Sequence, residues 1–206
     1  MAATAEPRES VEAPVSDERR FVLRDVPWST YVVLRDSLDE RNSHVRMTYL
    51  EGVLELMSPG RTHEVTTRLI TRFIDVWAEE HRIDLRGYRS MTFRDEHEEA
   101  GFEPDECFKI GEMPEGGVPD FTIEVTVTSG IVDRMEVFAR HRVPEIWEWN
   151  VRRRAFAVHR LVDGAYVAHA TSALLPALDL ELLARFIRLD ESHIELVVAY
   201  RAALRG

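Results

Sequence analysis

Pro119-Asp120-Phe121-Thr122-Ile123-Glu124-Val125-Thr126-Val127 carries the pattern that decides the fold. Its residues alternate, so that Phe121, Ile123, Val125 and Val127 share one face of an extended strand and Asp120, Thr122, Glu124 and Thr126 share the other. Before it, across a Gly/Pro-bearing loop, stands Glu103-Pro104-Asp105-Glu106-Cys107, in which Asp105 lies on the face of Glu103 and Cys107. A turn near Met113 and Pro114 makes the two segments an antiparallel hairpin, with Asp105 directly or diagonally opposite Glu124. Like charges so placed destabilise each other unless a cation neutralises them. The pair therefore reads either as a site for a divalent metal or as an acidic face turned to solvent.

Working outward, Trp28 to Leu38 has helical spacing, with Tyr31, Leu34 and Leu38 near one face. Val45–Leu50 and Val53–Met57 flank Glu51-Gly52, a hairpin punctuation closed by Ser58-Pro59-Gly60. His63 to Arg82 is the clearest helix, because Leu69, Ile70, Phe73, Ile74 and Trp77 recur at three-and-four spacing. Arg86 to Arg94 reads as one strand. After the carboxylate hairpin a helix is expected over Ile131–Arg142, with Ser129 as its cap. Glu145–Val151 and Ala155–Leu161 form a further hairpin, a strand follows at Tyr166–Ala170, and Leu178–Phe186 and Ser192–Ala203 close the chain as helices. This order predicts an α/β (α+β) fold in which helices flank a mixed sheet.

A chain of 206 residues with 45% hydrophobic content suits one packed domain, expected over residues 21–206. Residues 1–20 lack an apolar run and read as a disordered lead rather than a signal peptide. No stretch approaches a membrane span. Cys107 stands alone, which excludes an internal disulfide and a multi-cysteine zinc site and fits a cytoplasmic location. Net charge is −11, which by itself argues against a nucleic-acid partner. The acid is uneven, however: residues 95–115 hold nine carboxylates against one lysine, so the rest of the chain is far less anionic. Arg134, Arg140, Arg142 and the Arg152-Arg153-Arg154 turn offer cations that suit phosphates or a solvated surface equally.

Several chemistries drop out. His63-Glu64 begins like a zinc-protease helix, but Thr67 stands where the second histidine belongs. His63 keeps two readings, a hydrogen-bonded structural residue or a group that positions water. Gly116-Gly117 is not followed by Lys-Ser/Thr, a Gly-x-Gly-x-x-Gly run is absent, and neither Ser58 nor Ser129 sits in Gly-x-Ser-x-Gly. Trp147, Trp149 and Cys107 read as core.

Taken in order, Tyr49-Leu50-Glu51-Gly52, Leu56-Met57-Ser58-Pro59, His63, Glu103-Pro104-Asp105, Pro119-Asp120-Phe121 with Glu124-Val125, Thr128-Ser129-Gly130, Asp133-Arg134 and Val143-Pro144-Glu145-Ile146-Trp147 resemble the Uma-two restriction-endonuclease family of the PD-(D/E)xK nuclease superfamily. The resemblance covers most of the chain after Val22. It implies a restriction-endonuclease-like core in which Asp105 and Glu124 bind Mg²⁺ or Mn²⁺ with help from the Val125 carbonyl, and in which DNA is hydrolysed. It also implies Arg134 at the phosphate, His63 and Glu51 as secondary candidates, and, by analogy, a homodimer. The superfamily lysine two residues after the glutamate is Thr126 here, and the position where relatives compensate with a helix lysine is Arg134. Arginine grips phosphate but does not act as a base, its pKa lying above ~12. The alternative expectation is therefore a nuclease-fold module that binds nucleic acid or protein without cutting.

Overall fold

The computed structural model describes residues 18–41, 44–128, 130 and 132–206. The expected lead through residue 17 and the Ser129 cap lie outside them. Two sheets are built in chain order from β1 (Arg19–Leu23), α1 (Trp28–Asp39), β2 (Arg46–Leu50), β3 (Val53–Ser58), α2 (Arg61–His81), β4 (Leu85–Gly87), β5 (Phe93–Asp95) and β6 (Ala100–Phe102). There follow β7 (Glu106–Ile110), β8 (Phe121–Thr126), α3 (Arg134–Arg140), β9 (Glu145–Asn150), β10 (Ala155–Val162), β11 (Ala165–His169), α4 (Leu180–Arg185) and α5 (His193–Ala203). The smaller sheet has the order β1-β3-β2-β6-β5, and the larger β11-β10-β9-β8-β7-β4. The larger sheet is mixed, since β8 and β9 run parallel while its other pairs are antiparallel. That parallel step needs a crossover, and α3 supplies it.

The centre of the larger sheet, β7 to β9, is buried on both faces. Phe121, Ile123 and Val125 pack with Phe108, Trp147 and Trp149 beneath α2, α4 and α5, as their alternation requires. Leu69, Ile70, Phe73, Ile74 and Trp77 form the inward stripe of α2, each large side chain contributing about 1.5–3 kcal/mol by leaving water. The opposite face carries Cys107 and Ile146, covered by Phe93 and Phe102 of the smaller sheet and by Val137 and Phe138 of α3. Glu124 and Thr122 also point to this second face, and they are buried rather than solvated.

Three local expectations are corrected. Arg86–Arg94 is not one strand: β4 joins the larger sheet and β5 the smaller, the chain changing sheets between them. The acidic run hides β6, whose Ala100-Gly101-Phe102 pairs with β2 and β5, a three-residue strand too short to show an alternation. The helix expected over Ile131–Arg142 is the seven-residue α3, capped by Asp133, whose carboxylate accepts the Glu136 N–H at 3.2 Å. β1 begins at Arg19, within the expected lead, and pairs with β3 from Arg19↔Ser58 to Leu23↔Leu54.

Candidate active site

β7 and β8 pair with Glu106↔Ile123 and Cys107↔Thr122, and one further step of that register sets Asp105 beside Glu124 on the same face. The hairpin geometry expected from the sequence is therefore present. Both carboxylates are buried, Asp105 to 4% and Glu124 to 6% exposure, which removes the solvent-face reading of the pair. Asp105 is held from three directions. Its Oδ2 accepts the Val125 N–H at 2.7 Å and lies 2.9 Å from His63 Nε2, while Arg46 Nη1 approaches Oδ1 at 3.1 Å. His63 is the third residue of α2 and is itself buried, with no hydrogen-bond partner for its Nδ1.

Glu124 has a different environment. Neither carboxylate oxygen takes part in a hydrogen bond, and the Arg134 Nη2 stands 2.7 Å from Oε2 as an ion pair. The same guanidinium donates to the Glu103 carbonyl at 3.3 Å and lies 5.7 Å from the centre of the Phe138 ring. These surroundings separate the two acids. Asp105 is held below the ordinary carboxylate range, because the nearby His63 and Arg46 charges outweigh the burial that opposes ionisation. Burial pushes Glu124 up to about 8, the Arg134 charge lowering it and the Asp105 charge raising it.

Each acid opens to its own cavity. Asp105 lines a cleft of about 550 Å³ between α2 and the β2, β4 and β7 strands, with Arg46, Arg68, Asp75, Arg89 and Glu106 on its walls. Glu124 lines a smaller cavity of about 220 Å³, shared with Arg20, Thr126, Asp133, Arg134 and Glu148. The parallel register of β8 and β9 places Glu124 next to Glu148, so Asp105, Glu124 and Glu148 stand in a row across three strands.

Glu51 is not brought to this place. It occupies the β2–β3 turn with φ +44°, is exposed, and pairs with Arg140 at 2.7 Å. A polar residue at a hairpin tip projects away from the sheet face, whatever the motif around it. Conversely, two residues that sequence reading passed over belong here. Arg46 reaches Asp105 from β2, which alternation alone does not disclose, and Glu148 is aligned by a parallel pairing that follows only from knowing the crossover.

The family model described as "Putative restriction endonuclease" (Uma2) matches residues 28–190, the greater part of the chain. The chain belongs to the Uma2 family. Its fold is accordingly that of the PD-(D/E)xK nuclease superfamily. Among solved structures it is similar to a protein from Anabaena variabilis ATCC 29413 described as a "putative nuclease belonging to DUF820", with a TM-score of 0.50 and 15% identity over 69% of this chain and 91% of that one. At that identity the likeness is one of fold. No curated protein matches.

For a Uma2 chain the fit of a divalent ion is a matter of donor atoms. Asp105 Oδ1 and both Glu124 oxygens are buried without hydrogen bonds, and three such oxygens on neighbouring strands are the hard ligands that Mg²⁺ or Mn²⁺ takes. Among the described residues no group of three or more His, Cys, Asp or Glu side chains is arranged to hold a metal, and the carboxylates that meet here are two. The Arg134 guanidinium now provides the positive charge at Glu124.

Proposed function

We propose that this protein is a metal-dependent endonuclease that hydrolyses DNA phosphodiester bonds, with Asp105 and Glu124 holding Mg²⁺ or Mn²⁺ and the Val125 carbonyl assisting. The observation that carries this reading is the register-aligned, buried Asp105–Glu124 pair, whose Oδ1 and Oε2 atoms are met by the Arg46 and Arg134 cations as a metal ion would meet them. A bound divalent ion supplies a polarised phosphoryl oxygen and an acidified water. The chain's own residues then have distinct tasks. His63 and the Val125 N–H fix the orientation of Asp105 Oδ2 and keep that carboxylate ionised. Arg134 pairs with Glu124 and lines the small cavity, where its guanidinium can grip a phosphate through two hydrogen bonds.

Cleavage of supercoiled plasmid and of labelled oligonucleotides with Mn²⁺ tests the reading. Asp105→Asn and Glu124→Gln are each expected to reduce the rate by about 10²-fold or more, on the scale of a lost electrostatic contact in the transition state. Unchanged cleavage in both variants overturns the mechanism. A second reading, a binding module that no longer cuts, is favoured by one observation: the Arg134–Glu124 ion pair already balances the carboxylate without metal. DNA binding by the wild-type chain that needs no metal and yields no product with Mg²⁺ or Mn²⁺ establishes it.

A further inference from the structure

Hydrolysis at this site needs a proton acceptor, and with Asp105 and Glu124 assigned to the metal the other residues so far placed there do not provide one. Arg134 stays protonated. His63 is spent on Asp105 and lines neither cavity. Thr126, at the position of the superfamily lysine, has a hydroxyl of no basicity near neutral pH. Immediately beside Glu124, however, β9 offers Glu148 at the same register step, and the two side chains line the same 220 Å³ cavity.

We propose that Glu148 is the general base of the reaction, accepting a proton from the water that attacks the phosphorus, with His159 as its positioning residue. This inference rests on the endonuclease reading above. Several observations point the same way. Glu148 is half-buried at the edge of the cavity, unlike the fully enclosed Asp105 and Glu124, so water reaches it. His159 Nε2 of β10 stands 3.6 Å from Glu148 Oε2, and the register that sets Ala157 opposite Glu148 puts His159 on the same face of the sheet. The His159 ring and the Thr126 hydroxyl hold the Glu148 carboxyl below the ordinary range, keeping it in its proton-accepting form. Thr126, two residues after Glu124, thus supports a carboxylate from the next strand.

The groups facing Glu148 are Glu124 and Thr126 from β8, His159 from β10, Arg153 from the β9–β10 turn, Asp133 at the cap of α3, Arg134 from α3 itself, and Arg20 from β1. In the step itself the water oxygen forms a bond to phosphorus as one O–H bond gives its proton to a Glu148 Oε. The bond from phosphorus to the leaving sugar oxygen breaks with its electron pair, and that oxygen takes a proton from bulk water. Glu148 then returns its proton to solvent, and no oxidant or reductant is involved.

The test is steady-state cleavage by the full chain with Mn²⁺ as a function of pH, alongside calorimetric Mn²⁺ binding. Glu148→Gln should lower kcat by about 10²–10⁴-fold, the usual worth of a positioned base, while KM, Mn²⁺ affinity and thermal unfolding stay as in the wild type. The residual rate should lose its acid limb. His159→Gln should lower kcat several-fold and move the acid limb to higher pH, because the neighbour that orients the Glu148 carboxyl and lowers its pKa is gone. Full kcat in Glu148→Gln, in a protein whose cleavage still depends on Asp105, overturns the base assignment and leaves the endonuclease reading standing. Loss of Mn²⁺ binding in Glu148→Gln also overturns it, by making the residue a ligand. No metal-dependent cleavage by the wild type removes both.

Discussion

At the scale of single residues, the site is a set of charges that balance only as a group. Removing Arg134 leaves Glu124 buried without its counter-ion, and breaking such a pair from one side costs about 3–5 kcal/mol when the remaining charge stays ionised. Glu124 has an escape, since its raised pKa lets it take up a proton. Arg134→Gln is therefore expected to destabilise the protein strongly at pH values above about 8 and less below, and Arg134→Gln/Glu124→Gln to recover part of the loss. Chemical denaturation of the three proteins at two pH values measures this. Equal losses at both pH values would show that the pair is not what holds Glu124. Asp105 needs no such escape, because Arg46, His63 and the Val125 N–H surround it with donors.

At the scale of elements, the site exists because short pieces from two sheets meet. β6 lies at that meeting, paired with β2 and β5 inside the smaller sheet while Phe102 packs beneath α3 and the chain runs directly on to β7 of the larger sheet. Its central Gly101 is required for space: a Cβ there would lie 2.3 Å from the Tyr31 hydroxyl oxygen and 2.7 Å from the ring carbon bearing it. Tyr31 is fully buried and stacked on Tyr49, so it has no easy retreat. Gly101→Ala is expected to cost about 1–3 kcal/mol, the range for overpacking a filled interior. Differential scanning calorimetry reads this as a lower unfolding midpoint, and a wild-type midpoint would mean that α1 shifts freely on the sheet.

At the scale of the whole molecule, the two opposed pKa shifts give stability a definite pH profile. Asp105, depressed on folding, contributes stability that is present above its ordinary value of 3.8 and is lost as pH falls. Glu124, raised on folding, binds a proton in the folded state over a range where the unfolded chain has released it. Its contribution is full below about 4.5 and is lost as pH rises to about 8. Glu124→Gln should therefore flatten the decline of stability between those limits, measured as urea midpoints across the range. A decline identical to that of the wild type would mean that other groups cause it. Among the described residues no helix is long and apolar enough to cross a membrane.

The sequence by itself determined what local chemistry and periodicity determine. The alternation of Phe121–Thr126 and the stripe of α2 fixed which faces meet the core, and the Asp105–Glu124 juxtaposition followed from a hairpin whose two strands are close in the chain. Family motifs pointed to the same acids and to Arg134. Tertiary structure alone decided the rest. Whether the acids face solvent depends on the smaller sheet and α3 closing over them, and a strand pattern with polar residues on one face is the same for a wet face and a buried charged one. Arg46 meets Asp105 across 59 residues, β6 meets β2 across 50 to 54, and Glu148 meets Glu124 by a parallel pairing, none of which leaves a periodic trace; Glu51, close to them in the motif, is carried away by its turn.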